Sequence, residues 1–297
     1  MSRDAPMPTL DAAAEILKLD AGGPDIFIGA GGANNHLGSV FGGRLLAQSL
    51  LAAMKTVDAL PASSLHAYFL APGLTGVPLE YRVMRLRDSR RFANRQVTAL
   101  QDGQPIFALT CEFHAPEDGF FHQVPVPAVP PPEDVAPIQH FVRERAEELD
   151  VAAIRNFTEA LPIELRPVSP ETYFMQRPDR PERLFWFRQP TAADIEDPRL
   201  QQCLLAFGSD YWLAGTAAIP HFFPTNSDRF MITSLDHSIW FHRPACAGEW
   251  LLHHTFSPAA GDGLGLAMGR IFDRQGRLVA STAQESLLRR LARSSDC

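Results

Sequence analysis

Cysteine is scarce here: Cys111, Cys203, Cys246 and Cys297 are the only four in 297 residues, and none forms a Cys-x-x-Cys pair. A disulfide framework and a thiolate zinc site are therefore not expected, and a reducing, cytoplasmic location is. The N-terminus from Met1 shows no secretory leader pattern, and no apolar run approaches the roughly 18 to 20 residues of a membrane span. The last residues, Arg293 to Cys297, form neither a peroxisomal address nor a prenylation box. Excess positive charge is also missing. A formal charge of -7 and a pI near 5.8 argue against nucleic acid as a partner, because phosphate counterions are displaced by concentrated basic charge. The cluster Arg82, Arg85, Arg87, Arg90, Arg91 and Arg95 reads as a solvated hairpin in preference to a cradle for a phosphorylated ligand. The ten histidines include no His-Glu-x-x-His or other tight ligand spacing, so a metal site is not expected. No serine sits in a Gly-x-Ser-x-Gly elbow, which excludes the α/β-hydrolase nucleophile. Gly29-Ala30-Gly31-Gly32 precedes no βαβ unit and reads as a plain loop.

What is present is enough apolar residue, 45%, to bury a full core. Pro125, Pro127, Pro130, Pro131 and Pro132 crowd the segment 124–133 and keep it extended, so it reads as a linker followed by an Arg/Glu-rich helical stretch over 141–154. Three regions result: a first half over 1–122, a linker with a helical segment over 123–160, and a second half over 161–297. In the first half a helix is expected over 43–57, where Leu46, Leu50, Ala53, Met54 and Val57 keep helical spacing. Strands follow over 64–70, 78–86, 93–100 and 105–113, with an Asp102-Gly103 hairpin turn. The second half repeats this order, with a strand over 183–188, a helix over about 198–217, and strands over 232–242, 250–257, 264–272 and 278–288. Local matches support an internal repeat: Phe41-Gly42-Gly43 with Phe207-Gly208-Ser209, Phe69-x-x-Pro72 with Phe241-x-x-Pro244, and Gly103 with Gly276, offset by 166, 172 and 173 positions. The expected fold class is α+β.

Asp210 is the most informative residue. On a continuous helix its neighbours at three and four positions are Ala206, Phe207, Leu213 and Ala214, which puts a carboxylate on an apolar face, where it must be functional or heavily hydrogen-bonded. If the helix instead frays after Gly208, Asp210 caps the next turn; the pattern alone leaves both open. Gln284 shares strand parity with Leu278, Ala280, Thr282 and Leu288, so its amide needs partners, as a structural bridge or in a site. By the 166 and 173 offsets Asp210 corresponds to Arg44 and Gln284 to Cys111, so the halves have diverged there and one active centre per chain is expected.

The segments Val40-Phe41-Gly42-Gly43, His66-Ala67-Tyr68-Phe69-Leu70-Ala71-Pro72-Gly73, Gln104-Pro105-Ile106-Phe107, Leu235-Asp236-His237-Ser238-Ile239-Trp240-Phe241-His242-Arg243-Pro244 and Leu278-Val279-Ala280-Ser281-Thr282-Ala283-Gln284-Glu285 resemble those of the acyl-CoA thioesterase II (TesB-like) family, from about residue 36 to 290. The resemblance implies a double hotdog, two repeats of an antiparallel sheet wrapped around a long helix, and hydrolysis of acyl-CoA thioesters without metal or cofactor, usually in homo-oligomers. It further implies that Asp210, Ser234 and Gln284 hold the attacking water. Ser234 departs from the Thr usual there. The alternatives are a hotdog enoyl-CoA hydratase or dehydratase, for which His237 beside Asp236 is the nearest pair but faces the wrong way on a strand, and a non-catalytic acyl-CoA-binding protein.

Overall fold

The computed structural model describes residues 12–32, 38–149, 157, 161–175, 180–221 and 230–290. Among these residues thirteen strands lie in one antiparallel sheet: β1 (Asp20–Gly23), β2 (Ile26–Gly29), β3 (Ala62–Phe69), β4 (Leu79–Asp88), β5 (Phe92–Gln101), β6 (Gln104–His114), β7 (Glu164–Pro167), β8 (Glu182–Arg188), β9 (Phe230–Ser234), β10 (Asp236–Phe241), β11 (Leu251–Gly261), β12 (Leu264–Asp273) and β13 (Leu278–Arg290). The helices are α1 (Ala13–Ile16), α2 (Gly42–Met54), α3 (Ile138–Glu144), α4 (Glu171–Phe174) and α5 (Pro198–Ser209), with a 3-10 helix at Ala214–His221. Spatial strand order is β1-β2-β4-β5-β6-β3-β10-β13-β12-β11-β8-β7, with β9 pairing β13. The two halves are therefore fused through one antiparallel seam, β3 against β10, where Leu65 lies opposite Ile239 and Ala67 opposite His237.

Alternation builds the inner faces. Ala93, Arg95, Val97 and Ala99 of β5 and Leu109, Cys111 and Phe113 of β6 point inward, as do Ala267 and Ile271 of β12 and Thr282, Gln284 and Ser286 of β13. The first half wraps α2, which is buried almost all round; the second half packs against the 3-10 helix as well as α5. The long helices lie antiparallel against each other. Gly43, at the start of α2, approaches the Phe207 carbonyl near the end of α5, and Met54 Sδ, at the other end, lies 3.6 Å from Cys203 Sγ.

Three expectations are corrected. The second helix stops at Ser209, short of 217: Asp210 is its C-terminal cap, and Trp212 then adopts φ +63°, a left-handed conformation strained for a bulky residue. Packing fixes it, because the indole lies 4.6 Å from the Tyr173 ring and 5.0 Å from that of Phe185. The strand expected over 232–242 is two, because β9 and β10 separate at Leu235, whose N–H and carbonyl bond to Glu285 and Phe69. The matched Phe-Gly pairs are not equivalent either: Phe41-Gly42 opens α2, whereas Phe207-Gly208 closes α5. By topology Asp210 corresponds to Lys55, the cap of α2, not to Arg44. The match of Gln284 with Cys111 keeps its register, since both are inward positions on the strand after the hairpin glycine.

The proline-rich stretch is extended, as composition requires, but it is fastened to the second half. Gln123 donates to the Gly276 carbonyl and accepts from Leu278 N–H, and Trp186 Nε1 donates to the Pro130 carbonyl. Arg166 binds the Pro132 carbonyl at 2.7 Å, and Val135 joins Trp186, Trp250, Leu252 and Phe272 in a small outer core. Of the helical stretch expected over 141–154, α3 covers the beginning, 145–149 form turns instead of helix, and 150–154 falls outside the described residues. In the arginine cluster the expected solvated hairpin, β4–β5, is present except that Arg95 turns inward and is 1% exposed. Among the described residues no helix is long and apolar enough to cross a membrane.

The first turn of α5 is held by two side chains that mimic backbone pairing. Gln202 accepts from Ala62 N–H and donates to its carbonyl at 3.0 and 2.8 Å; Gln201 binds the Ala192 and Ile195 carbonyls and Ala247 N–H. Gln202→Ala leaves a buried N–H and C=O unpaired and is expected to destabilise the fold by about 2 kcal/mol or more. Urea denaturation should register that loss with kcat unchanged, since Asp210 lies at the far end of the helix; an unaltered midpoint would mean that Ala62 finds other partners.

Candidate active site

At the C-terminal end of α5, three chain segments converge on one carboxylate. Asp210 extends the helix as its cap, with its side chain only 7% exposed. β13 brings Gln284, whose Nε2 donates to Asp210 Oδ1 at 2.8 Å and to Ser234 Oγ, on β9, at 3.0 Å. Ser234 lies opposite Ser286 in the β9–β13 ladder, so both hydroxyls face the same side as Gln284. The three residues singled out in the sequence therefore lie in one hydrogen-bonded group. Both Nε2 hydrogens are used, and Gln284 Oε1, fully buried, has no hydrogen-bond partner among the described residues.

The first turn of α2 completes the surroundings, and sequence reasoning missed its role. Gly43 N–H donates to the Asp210 carboxylate. A Cβ on Gly42 would lie 2.7 Å from Asp210 Oδ2 and 2.9 Å from the Phe69 ring, so only glycine lets this turn come so close. The positive end of the α2 dipole thus faces the negative group. A visible signal was the Gly42-Gly43 pair at a helix start with no capping side chain. Burial pushes the Asp210 carboxyl up from its ordinary 3.8 to about 6, against the opposing pull of the Gln284 and Gly43 hydrogen bonds.

His237 was also missed as a member of this group. Its sequence neighbour Asp236 points away and accepts from Glu285 N–H, whereas His237 turns inward, Nδ1 lying 3.7 Å from Asp210 Oδ1 and Nε2 3.0 Å from Ser209 Oγ. Burial pushes its pKa down to about 3, so the ring is neutral. His253 of β11 lies deeper, against Thr282 of β13, and is likewise held down to about 3 by burial and by His237 and His254. Among the described residues no group of three or more His, Cys, Asp or Glu side chains could hold a metal ion.

Known proteins match this chain over nearly its whole length. Residues 32–114 match the family model of the acyl-CoA thioesterase N-terminal domain, and residues 126–288 that of the C-terminal domain. The chain belongs to the acyl-CoA thioesterase family. It is a thioester hydrolase with a double hotdog α+β fold. The chain is 38% identical to acyl-CoA thioesterase 2 of Haemophilus influenzae over 251 residues, covering 84% of this chain and 87% of that one. It is 36% identical to human acyl-coenzyme A thioesterase 8 over 258 residues, covering 84% and 80%. The crystal structure of an acyl-CoA thioesterase II, TesB2, from Mycobacterium marinum superposes with a TM-score of 0.77 at 34% identity, covering 95% of this chain and 99% of that one.

The buried imidazoles of this thioesterase give its stability a sign with pH. The unfolded chain protonates both near the ordinary histidine pKa of 6.5, while the native state keeps them neutral down to about 3. Their contribution is thus complete above 6.5 and is lost as pH falls toward 3, by about 2 kcal/mol for each ring at pH 5. Asp210, raised to about 6, works in the opposite direction by about 1 kcal/mol over the same interval. The urea midpoint should therefore fall between about pH 7.5 and pH 5; a flat or rising midpoint would mean that both imidazoles carry a proton in the native state at pH 5, since one neutral ring alone still outweighs Asp210.

Proposed function

We propose that the chain hydrolyses acyl-CoA thioesters to free acid and CoA by direct attack of a water held by Asp210, Ser234 and Gln284. The observation that carries this reading is the hydrogen-bonded group itself. One buried carboxylate, with its pKa raised to about 6, shares an amide with a hydroxyl. A carboxylate of that basicity is ionised at neutral pH and is close enough to it to take a proton from water in the transition state. Ser234 accepts from Gln284 and keeps its own hydrogen to donate, while Gln284 Oε1 can accept one hydrogen of a water whose other faces Asp210. Water oxygen bonds to the thioester carbonyl carbon as Asp210 takes the water proton. The tetrahedral intermediate then collapses, the C–S bond breaks, and the proton passes to the departing sulfur.

The hydratase reading asks for a histidine open to substrate. His237 is 0% exposed and held by Ser209 beneath Asp210, which supports the hydrolase instead. The free Cys111, Cys203 and Cys246 are compatible with a reducing cytoplasm. One active centre per chain is supported by the first half, where Cys111 stands at the Gln284 position and the cap position holds Lys55.

Incubation with acyl-CoAs of increasing chain length and a thiol reagent should release free CoA, and Asp210→Asn should lower kcat roughly 10²-fold or more with the fold and acyl-CoA binding retained. Ser234→Ala should lose less, and Ser234→Thr should be tolerated. Wild-type turnover in Asp210→Asn would remove Asp210 from the mechanism, and binding without CoA release by the native chain would leave an acyl-CoA-binding protein. In the native enzyme kcat should rise with pH through an apparent pKa of about 6 and level off above it, because the base acts when ionised.

Gln284→Ala should cripple turnover, whereas Cys111→Ala should affect mainly stability. Titration with a tight-binding inhibitor should count one site per chain; two equivalents, or equal losses in the two variants, would mean that both halves are catalytic.

A further inference from the structure

His237 is a buried titratable side chain that the water-holding scheme leaves unused, and its surroundings fix more than its position. Ser209 Oγ donates its single hydrogen to the Ala206 carbonyl at 2.9 Å, in the last turn of α5. That hydroxyl can then only accept from His237, so the imidazole proton sits on Nε2, 3.0 Å away. The other nitrogen, Nδ1, is left as a bare acceptor with no hydrogen-bond partner among the described residues, 3.7 Å from Asp210 Oδ1.

We infer that His237 is a positioning residue whose unprotonated Nδ1 receives a hydrogen bond from Asp210 when that carboxyl is in its acid form. The reading rests on Asp210 as the base. A lone pair beside a carboxylate opposes the ionised form. Once the water proton has moved to Oδ1, the same lone pair becomes a partner for the new O–H, after a closure of about 1 Å. Gln284 Nε2 still donates to the same oxygen. The interaction is therefore stronger after proton transfer than before, which is the condition for a contact to lower the barrier instead of only tightening the ground state. Ser209 serves as the lock: it holds the tautomer that makes Nδ1 an acceptor.

Among the described residues no other side chain competes for this role. The titratable groups facing Asp210 are His237 from β10 and, behind it, His253 from β11; β13 and β9 present Gln284 and Ser234, and α2 presents Gly42 and the Gly43 N–H. Asp236 and Glu285 lie on the opposite strand faces, bonded through Glu285 N–H. In the first half, the residue at the matching place on β3 is Leu65, fully buried and without a polar atom, so the device belongs to the half that carries Asp210.

The test separates the two ring nitrogens. His237→Gln can still reach Ser209 but leaves no acceptor beside Asp210; His237→Asn places an amide oxygen near the Nδ1 position and abandons Ser209. In His237→Gln the acid limb of the kcat profile should move to lower pH by about one unit, and kcat should fall about tenfold with KM unchanged, because Asp210 becomes a weaker base. His237→Asn should recover part of both. Equal effects in the two variants, or an acid limb that stays in place in His237→Gln, would overturn the proposal. Nitrogen-15 NMR of histidine-labelled native enzyme reads the tautomer without any substitution: the protonated nitrogen of His237 should be Nε2, and a proton on Nδ1 overturns the proposal even if both variants fail to fold. Asp210→Asn, measured alongside, separates the outcomes. Full activity there removes the underlying mechanism, whereas an inactive Asp210→Asn with an unshifted His237→Gln removes only the role of His237.

Discussion

The close approach of the first turn of α2 to the last turn of α5 is the contact on which the rest of the molecule depends. Helices crossing at this separation require that something yield at the point of contact, and here it is the side chains of Gly42 and Gly43. A Cβ on Gly43 would collide with the Phe207 carbonyl and the Phe41 ring, and one on Gly42 with the Asp210 carboxylate. Because neither exists, an N-terminal backbone N–H reaches the carboxylate directly. The same antiparallel pairing sets the far end, where Met54 meets Cys203 and Gln202 clamps Ala62, and with it the placement of the β3–β10 seam that unites the two halves of the sheet.

The electrostatics of the site follow from that geometry. An anion at the C-terminal end of its own helix faces the negative end of that helix's dipole. Asp210 occupies such a place and is also cut off from water, so its ionised form is sustained by what the neighbouring elements bring: Gly43 N–H from α2 and Gln284 from β13. Two donors are enough to keep the carboxylate ionised at neutral pH and too few to drive its pKa back to the ordinary value. A third donor would make the group a better anion and a poorer base.

Much of this was legible in the sequence. Alternation and turn residues located β3 to β6 and β10 to β13 within a few positions, because these strands have one buried and one wetter face and the hairpin glycines are needed at positive φ, as at Gly103 and Gly276. Asp210 and Gln284 stood out as polar groups on apolar faces, a resemblance added Ser234 and their shared role, and Gln284 lies within hydrogen-bonding distance of both the others. The end of α5 was not legible, because nothing local between Ser209 and Ala217 forbids a helix. The interruption is imposed by Trp212 seating among Tyr173 and Phe185, residues distant in the chain. The 166 offset failed for a related reason: it aligned a Phe-Gly string, whereas the true equivalence is set by helix ends, which depend on tertiary contact. His237 was hidden because a strand neighbour, Asp236, looked like its acid, while the acid it meets is supplied by another element.

The two halves show what becomes of the same place when chemistry is not required of it. At the end of α2, Arg95 reaches in from β5 and donates to Thr56 Oγ1 at 2.7 Å, to the Thr56 carbonyl at 2.9 Å and to Asp88 at 2.6 Å. A cation there is favoured by the helix dipole, and its hydrogens are taken up by the last carbonyls and by a carboxylate, so a buried charge is compatible with a stable fold. Cys111 lies beside it as a small apolar filler, its thiol pushed up to about 12 by burial and so protonated. At the end of α5 the sign is reversed: the helix terminates in an anion, the adjacent strand carries an amide with one unpaired oxygen, and a neutral imidazole offers a bare nitrogen. The first arrangement satisfies its polar atoms from within the chain. The second leaves buried acceptors without partners among the described residues, a less stable solution for folding and the one that can hold a water ready to lose a proton.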